Sequence, residues 1–113
     1  MKKIIAATLA VALTMPVAAC SSEPPLSEDS TPQEIHAYIT ENGATIRQND
    51  TRRYMRNICG MLALEGGLDA AADVKEIHDG TMSVKQAQRN VGAAVLTTCP
   101  EREHKLEDSG EWW

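Results

Sequence analysis

Three cysteines, at positions 20, 59 and 99, and three histidines, at 36, 78 and 104, are the side chains most able to do chemistry in this sequence. A cysteine pair can run a redox cycle, hold a metal or close a disulfide. Redox cycling favours C-x-x-C, which sets two sulfurs at one helix end, and that spacing does not occur. Metal binding needs further ligands within a turn or so, and no histidine stands at ligand spacing from Cys59 or Cys99. His36 and His78 belong to neither H-x-x-x-H nor H-E-x-x-H and are flanked by acids (Glu34; Glu76 and Asp79), and they read as surface or partly buried helix residues. His104 lies in the charged run Glu101-Arg102-Glu103-His104, which reads as a solvated face. No Gly-x-Ser-x-Gly elbow, Walker loop or dinucleotide fingerprint appears, and Gly66-Gly67 reads as a helix stop. These patterns predict no catalysis, no metal and no cofactor.

Two other groups are suited to recognition. Arg47, Arg52, Arg53 and Arg56 form the basic cluster of a chain whose net charge is −5. Arg52 and Arg56 share a helix face at i, i+4, where they can meet a phosphate, an acidic partner or nucleic acid passing through the envelope. The plainer expectation is a solvated face paired with acids such as Asp50 and Glu65. The net charge argues against nucleic acid as the partner. At the other end stand Trp112 and Trp113. Adjacent exposed tryptophans are costly, and tryptophan is enriched in binding hot spots and at membrane interfaces. Either this tail folds back on the domain or the pair meets a partner or a bilayer. The candidate partner-binding residues are therefore Arg52, Arg53, Arg56, Trp112 and Trp113.

The amino-terminal residues give an address. Lys2 and Lys3 precede an apolar run, Ile4 to Met15, which Pro16 ends. The run is too short for a permanent bilayer span, which needs about 20 residues, and reads as an export signal over residues 1–19. Val17-Ala18-Ala19-Cys20 then resembles the bacterial lipobox, in which the cysteine sulfur takes a diacylglyceryl group before cleavage. Lipidation at Cys20 would hold the protein on the membrane, because each buried CH₂ contributes about 0.8 kcal/mol. Removing residues 1–19 takes away two lysines and no acid. The mature chain is thus more acidic still, and a domain of that sign is weakly repelled by anionic headgroups. With Cys20 lipidated, Cys59 and Cys99 remain as an even pair in an oxidising compartment, where a disulfide is the default. Its loop of about 40 residues corresponds to about 4 kcal/mol of chain entropy.

Positioning these residues falls to a short chain of 113 residues, 42% hydrophobic, with no Phe. Tyr38 and Tyr54 therefore read as core. Residues 20–31 (CSSEPPLSEDST) carry one apolar side chain after Cys20 and read as a flexible linker. A helical domain is expected over 32–100. Thr31-Pro32-Gln33-Glu34 predicts a capped helix start, and Asn42-Gly43 its end. A second helix begins after Asn49 or Asp50 and carries Tyr54, Ile58, Met61 and Leu62 at helical spacing up to Gly66-Gly67. A third, Leu68 to His78, places Leu68, Ala71, Val74 (or Lys75) and Ile77 near one face. The fourth starts at the capping box Ser83-Val84-Lys85-Gln86, carries Val84, Ala87, Val91, Ala94 and Val95, and stops before Pro100. No segment alternates like a strand. The expected fold is all-α, a small bundle of about four short helices with one disulfide. Residues 101–113 read as a charged tail, with a short helix available over Arg102 to Asp108.

Cys59 with Leu62 and Gly66, then Val74, Gln86-Ala87, Val91, Ala93-Ala94-Val95 and Cys99-Pro100 resemble the pattern of the actinobacterial domain of unknown function 732. The resemblance runs from about Ile35 to Pro100. It implies a small exported helical domain with a disulfide, and no particular activity. The expected function is that of a lipid-anchored, extracytoplasmic binding or interaction module, with the membrane met through the lipid on Cys20 and an envelope protein as partner. A prophage-encoded lipoprotein that blocks phage DNA entry and a structural envelope lipoprotein are the alternatives.

Overall fold

The computed structural model describes residues 23–113, which form an all-α bundle. Helix α1 spans Pro32–Glu41. The Thr31 hydroxyl accepts from the Glu34 N–H (3.1 Å), and the Glu34 carboxylate accepts from the Thr31 N–H (2.8 Å). Two otherwise orphaned donors are thereby satisfied. Asn42 caps the other end, and Gly43, at φ 89°, takes the left-handed turn that an L side chain resists. A 3₁₀ turn, Gln48–Asp50, leads into α2, Thr51–Leu64. Then come α3, Gly67–Ile77, and α4, Val84–Thr97, whose Ser83–Gln86 capping box is formed as the sequence predicts.

Helix α4 is the hub of the bundle. It packs on α1, α2, α3 and the 3₁₀ turn Pro100–Lys105 that follows it. Its composition explains this. Ala87, Gly92, Ala93 and Ala94 are all buried and small enough to admit neighbouring backbones on more than one side. The larger apolar groups come from around it: Ile35 and Ile39 of α1, Met55, Ile58 and Leu62 of α2, Val74 of α3, and Met82. Burying each such side chain contributes about 1.5–3 kcal/mol. Cys59 in α2 and Cys99 just beyond α4 are joined by the expected disulfide, with Cα atoms 6.1 Å apart. It clamps the two helices across a sequence separation of 40.

Within the arm and the four helices the structure departs from expectation at α3, Val84 and Leu26. In α3 the buried residues are Gly67, Ala70, Ala71 and Val74, while Leu68 and Ile77 are exposed. Packing against the small residues of α4 selects the alanine edge, because it allows the closer approach. Val84 is likewise exposed at 56%, since it occupies the first turn of α4, ahead of the contact. Finally, Leu26, expected in a flexible linker, is 7% exposed and belongs to the core. A hydrogen-bonded turn follows it, with the Ser30 N–H donating to the Ser27 carbonyl and the Ser27 N–H to the Ser30 hydroxyl. One apolar side chain and one local turn suffice to seat this arm, although its composition is that of a spacer.

Candidate functional site

Helix α2 carries the basic cluster at its amino-terminal half. Arg52, Arg53 and Arg56 are all exposed. Asp50, immediately before the helix, accepts from Arg47 (3.1 Å) and Arg53 (2.8 Å). These are surface pairs, each contributing under about 1 kcal/mol. Arg52 instead reaches the Ser30 carbonyl, at 3.5 Å. Glu65, the other expected partner, forms no ion pair with these arginines; the neighbouring Asp73 carboxyl, some desolvation and the charge of Asp69 raise its pKa.

The carboxyl-terminal segment is a strap and not a free tail. The short helix available over Arg102–Asp108 is replaced by the 3₁₀ turn Pro100–Lys105. From that turn Arg102 donates to the Cys59 carbonyl. The Glu107 carboxylate accepts from the Leu68 N–H (3.0 Å) at the start of α3. That helix has no side-chain cap of its own, since its N-cap residue is Gly66. A carboxylate from 39 residues away supplies the missing acceptor and the favourable dipole interaction. Glu111 then donates its N–H to Gln88 (2.8 Å) and pairs with Lys85 and Arg89 on α4.

Trp112 closes the strap. It is 9% exposed, its Nε1 donates to the Glu107 carbonyl (2.8 Å), and its indole lies against Gly67 and Gly110. Its carbonyl rests on Gly92, where any β-carbon would collide with it. This removes Trp112 from the candidate partner-binding residues, because its apolar area is already buried within its own chain. Trp113 stays partly exposed, at 37%.

The remaining polar groups are structural in their contacts. Tyr54 is buried, and burial pushes its phenol well above the ordinary value. Its hydroxyl donates to Asn90 Oδ1 (2.9 Å). Asn90, fully buried in α4, donates through Nδ2 to the carbonyls of Asn42 (3.0 Å) and Gln86 (2.8 Å). One amide thus ties the end of α1, the first turn of α2 and α4 together. His78 is buried, with Nδ1 3.0 Å from the Val74 carbonyl and its ring edge-on to Tyr54. His36 Nε2 meets the Ile46 carbonyl, and His104 Nδ1 that of Glu101. Among the described residues no three His, Cys, Asp or Glu side chains stand together to hold a metal, and no helix is long and apolar enough to cross a membrane. An open groove of about 380 Å³ lies between the arm and α1, lined by Pro25, Leu26, Ala37 and Tyr38 and edged by Glu34 and Glu41.

The chain matches no family model, no curated protein and no solved structure.

Of the residues singled out from sequence, the structure joins Cys59 to Cys99 and gathers the arginines on one exposed face. Cys20 lies outside the described residues. Asn90, Glu107 and Arg102 went unmarked in the sequence although each fastens separate elements. Only Asn90 left a trace, as a polar side chain adjoining the apolar stripe at Val91, Ala94 and Val95.

Proposed function

We propose that the protein is a lipid-anchored, extracytoplasmic helical module of the bacterial cell envelope that acts by binding and not by catalysis. The observation that carries this is the Cys59–Cys99 disulfide of the helical domain, taken with the export signal and Val-Ala-Ala-Cys sequence ahead of it. Structural disulfides persist where the compartment is oxidising, so the bridge and the signal independently point outside the cytoplasm. The arm begins its contacts at Leu26, a few residues beyond Cys20, so the module would ride close to the bilayer. Confinement to a surface raises the effective concentration for an envelope partner, and the exposed arginine face supplies a recognition surface. The resemblance to the actinobacterial domain of unknown function 732 belongs to the same proposal. A small helical bundle carrying one disulfide is what it implies, and both features are present.

The test is the state of Cys20. Cys20→Ala is expected to abolish incorporation of labelled fatty acid and to shift the protein from the membrane fraction to the soluble or unprocessed form. Unchanged membrane retention in that variant would refute the anchor.

A further inference from the structure

We propose that the face of α2 bearing Arg52 and Arg56 docks on anionic phospholipid headgroups of the bilayer that holds this chain's own lipid. The proposal deepens the anchored-module reading and rests on it. Charge is the first support. Arg47 and Arg53 share Asp50, whereas Arg52 and Arg56, exposed and one helical turn apart, have no carboxylate in ion-pair range among the described residues. Of the four guanidiniums, two are thus paired with a single carboxylate and two with none. The acids that make the whole chain negative sit largely on other elements, including Glu65, Asp69, Asp73 and Glu76 around α3 and Glu107 and Glu111 on the strap. Repulsion expected from the net charge does not govern a face of the opposite sign, because charges beyond about 8 Å are screened at physiological salt.

The second support is where the chain arrives. Leu26 is seated in the core and Arg52 contacts the Ser30 carbonyl, so the arm comes onto the domain beside the arginine face. From Cys20 to Leu26 there are six residue steps, which span at most about 20 Å. A spacer free as far as Pro32 would double that reach. On the shorter leash the face nearest its root is the one held nearest the headgroups. Glu28 and Asp29 share the Ser27–Ser30 turn and oppose the docking. A guanidinium nevertheless gains paired N–H···O bonds to a phosphate in addition to charge, which gives it an advantage at headgroup level.

The mature, lipidated protein, reconstituted in phosphatidylcholine vesicles with and without phosphatidylglycerol, tests this. Flotation reports the anchor, and phenylglyoxal modification read by mass spectrometry reports each arginine. Flotation is expected with both compositions. Modification of Arg52 and Arg56 should fall several-fold only with phosphatidylglycerol and recover in high salt, with Arg102 as the unchanged control. Arg53, on the same helix, should be protected more weakly in the wild type, and Arg52→Gln combined with Arg56→Gln should float equally while that protection of Arg53 is lost. Flotation with neither composition would overturn the anchor and this proposal with it. Equal Arg52 and Arg56 reactivity in both vesicles, with flotation intact, would overturn headgroup docking alone. Protection found only in native envelope vesicles would assign the face to an acidic protein and overturn the proposal as well.

Discussion

Asn90 shows how one polar side chain can organise an otherwise apolar core. Its amide hydrogen-bonds Tyr54, Asn42, Gln86 and the Met82 sulfur, with no access to water. Asn90→Ala would strand the Tyr54 hydroxyl and the Asn42 carbonyl, so urea unfolding should show a loss of about 2–4 kcal/mol. Adding Tyr54→Phe to that variant should cost less than it does alone, because the two groups act as one unit. Glu65 presents the opposite case, a half-buried acid beside Asp73 and Asp69. Its pKa is raised in the fold, so the native state binds this proton more tightly than the unfolded chain. The resulting stabilisation is present in acid and is lost as pH rises through the raised value. Glu65→Gln mimics the protonated group. Thermal melts should therefore show a small gain at neutral pH that shrinks as pH falls below the carboxylate range.

The strap is the element whose behaviour most distinguishes the molecule from a plain four-helix arrangement. Its composition is that of a solvated tail, with Glu101, Glu103, Glu107, Asp108 and Glu111 in close succession. It is nevertheless held by a buried indole, by Glu107 at the start of α3 and by Glu111 on α4. Trp112→Ala should cost about 3 kcal/mol, in the range for truncating a buried tryptophan. The change should also speed amide exchange at Leu68, whose N–H would lose the Glu107 cap, while circular dichroism keeps the helical signal. Unaltered exchange at Leu68 would show that the cap holds without the indole.

Taken as a whole, the bundle is small, and its hub helix contributes alanines and glycine where larger cores use leucine. The disulfide is therefore a large share of what holds it. Cys59→Ser with Cys99→Ser removes a loop constraint worth about 4 kcal/mol. At roughly 4–8 °C per kcal/mol for a domain of this size, the melting temperature should fall by well over 10 °C. Identical melts with and without reductant would contradict a structural bridge.

Helix boundaries were legible because their signals are local. Thr31 with Glu34, Ser83 with Gln86, Gly43 and Pro100 each act within a turn of backbone, and the structure places α1 and α4 where those residues predict. The Cys59–Cys99 pairing was legible by elimination, once Cys20 was set aside as the proposed lipidation site. The buried side of α3, the seating of Leu26, the Glu107 cap and the burial of Trp112 were not legible. Each depends on a partner far along the chain, as Gly92 and Gly67 are for Trp112 and Leu68 is for Glu107. Sequence alone determined where α1 to α4 lie and which two sulfurs of the domain join, because capping, glycine and proline effects and cysteine pairing need little knowledge of the packed state. Only tertiary structure decided which of two similar apolar edges is covered and which arginines are left uncovered, because burial is a property of the surfaces that meet.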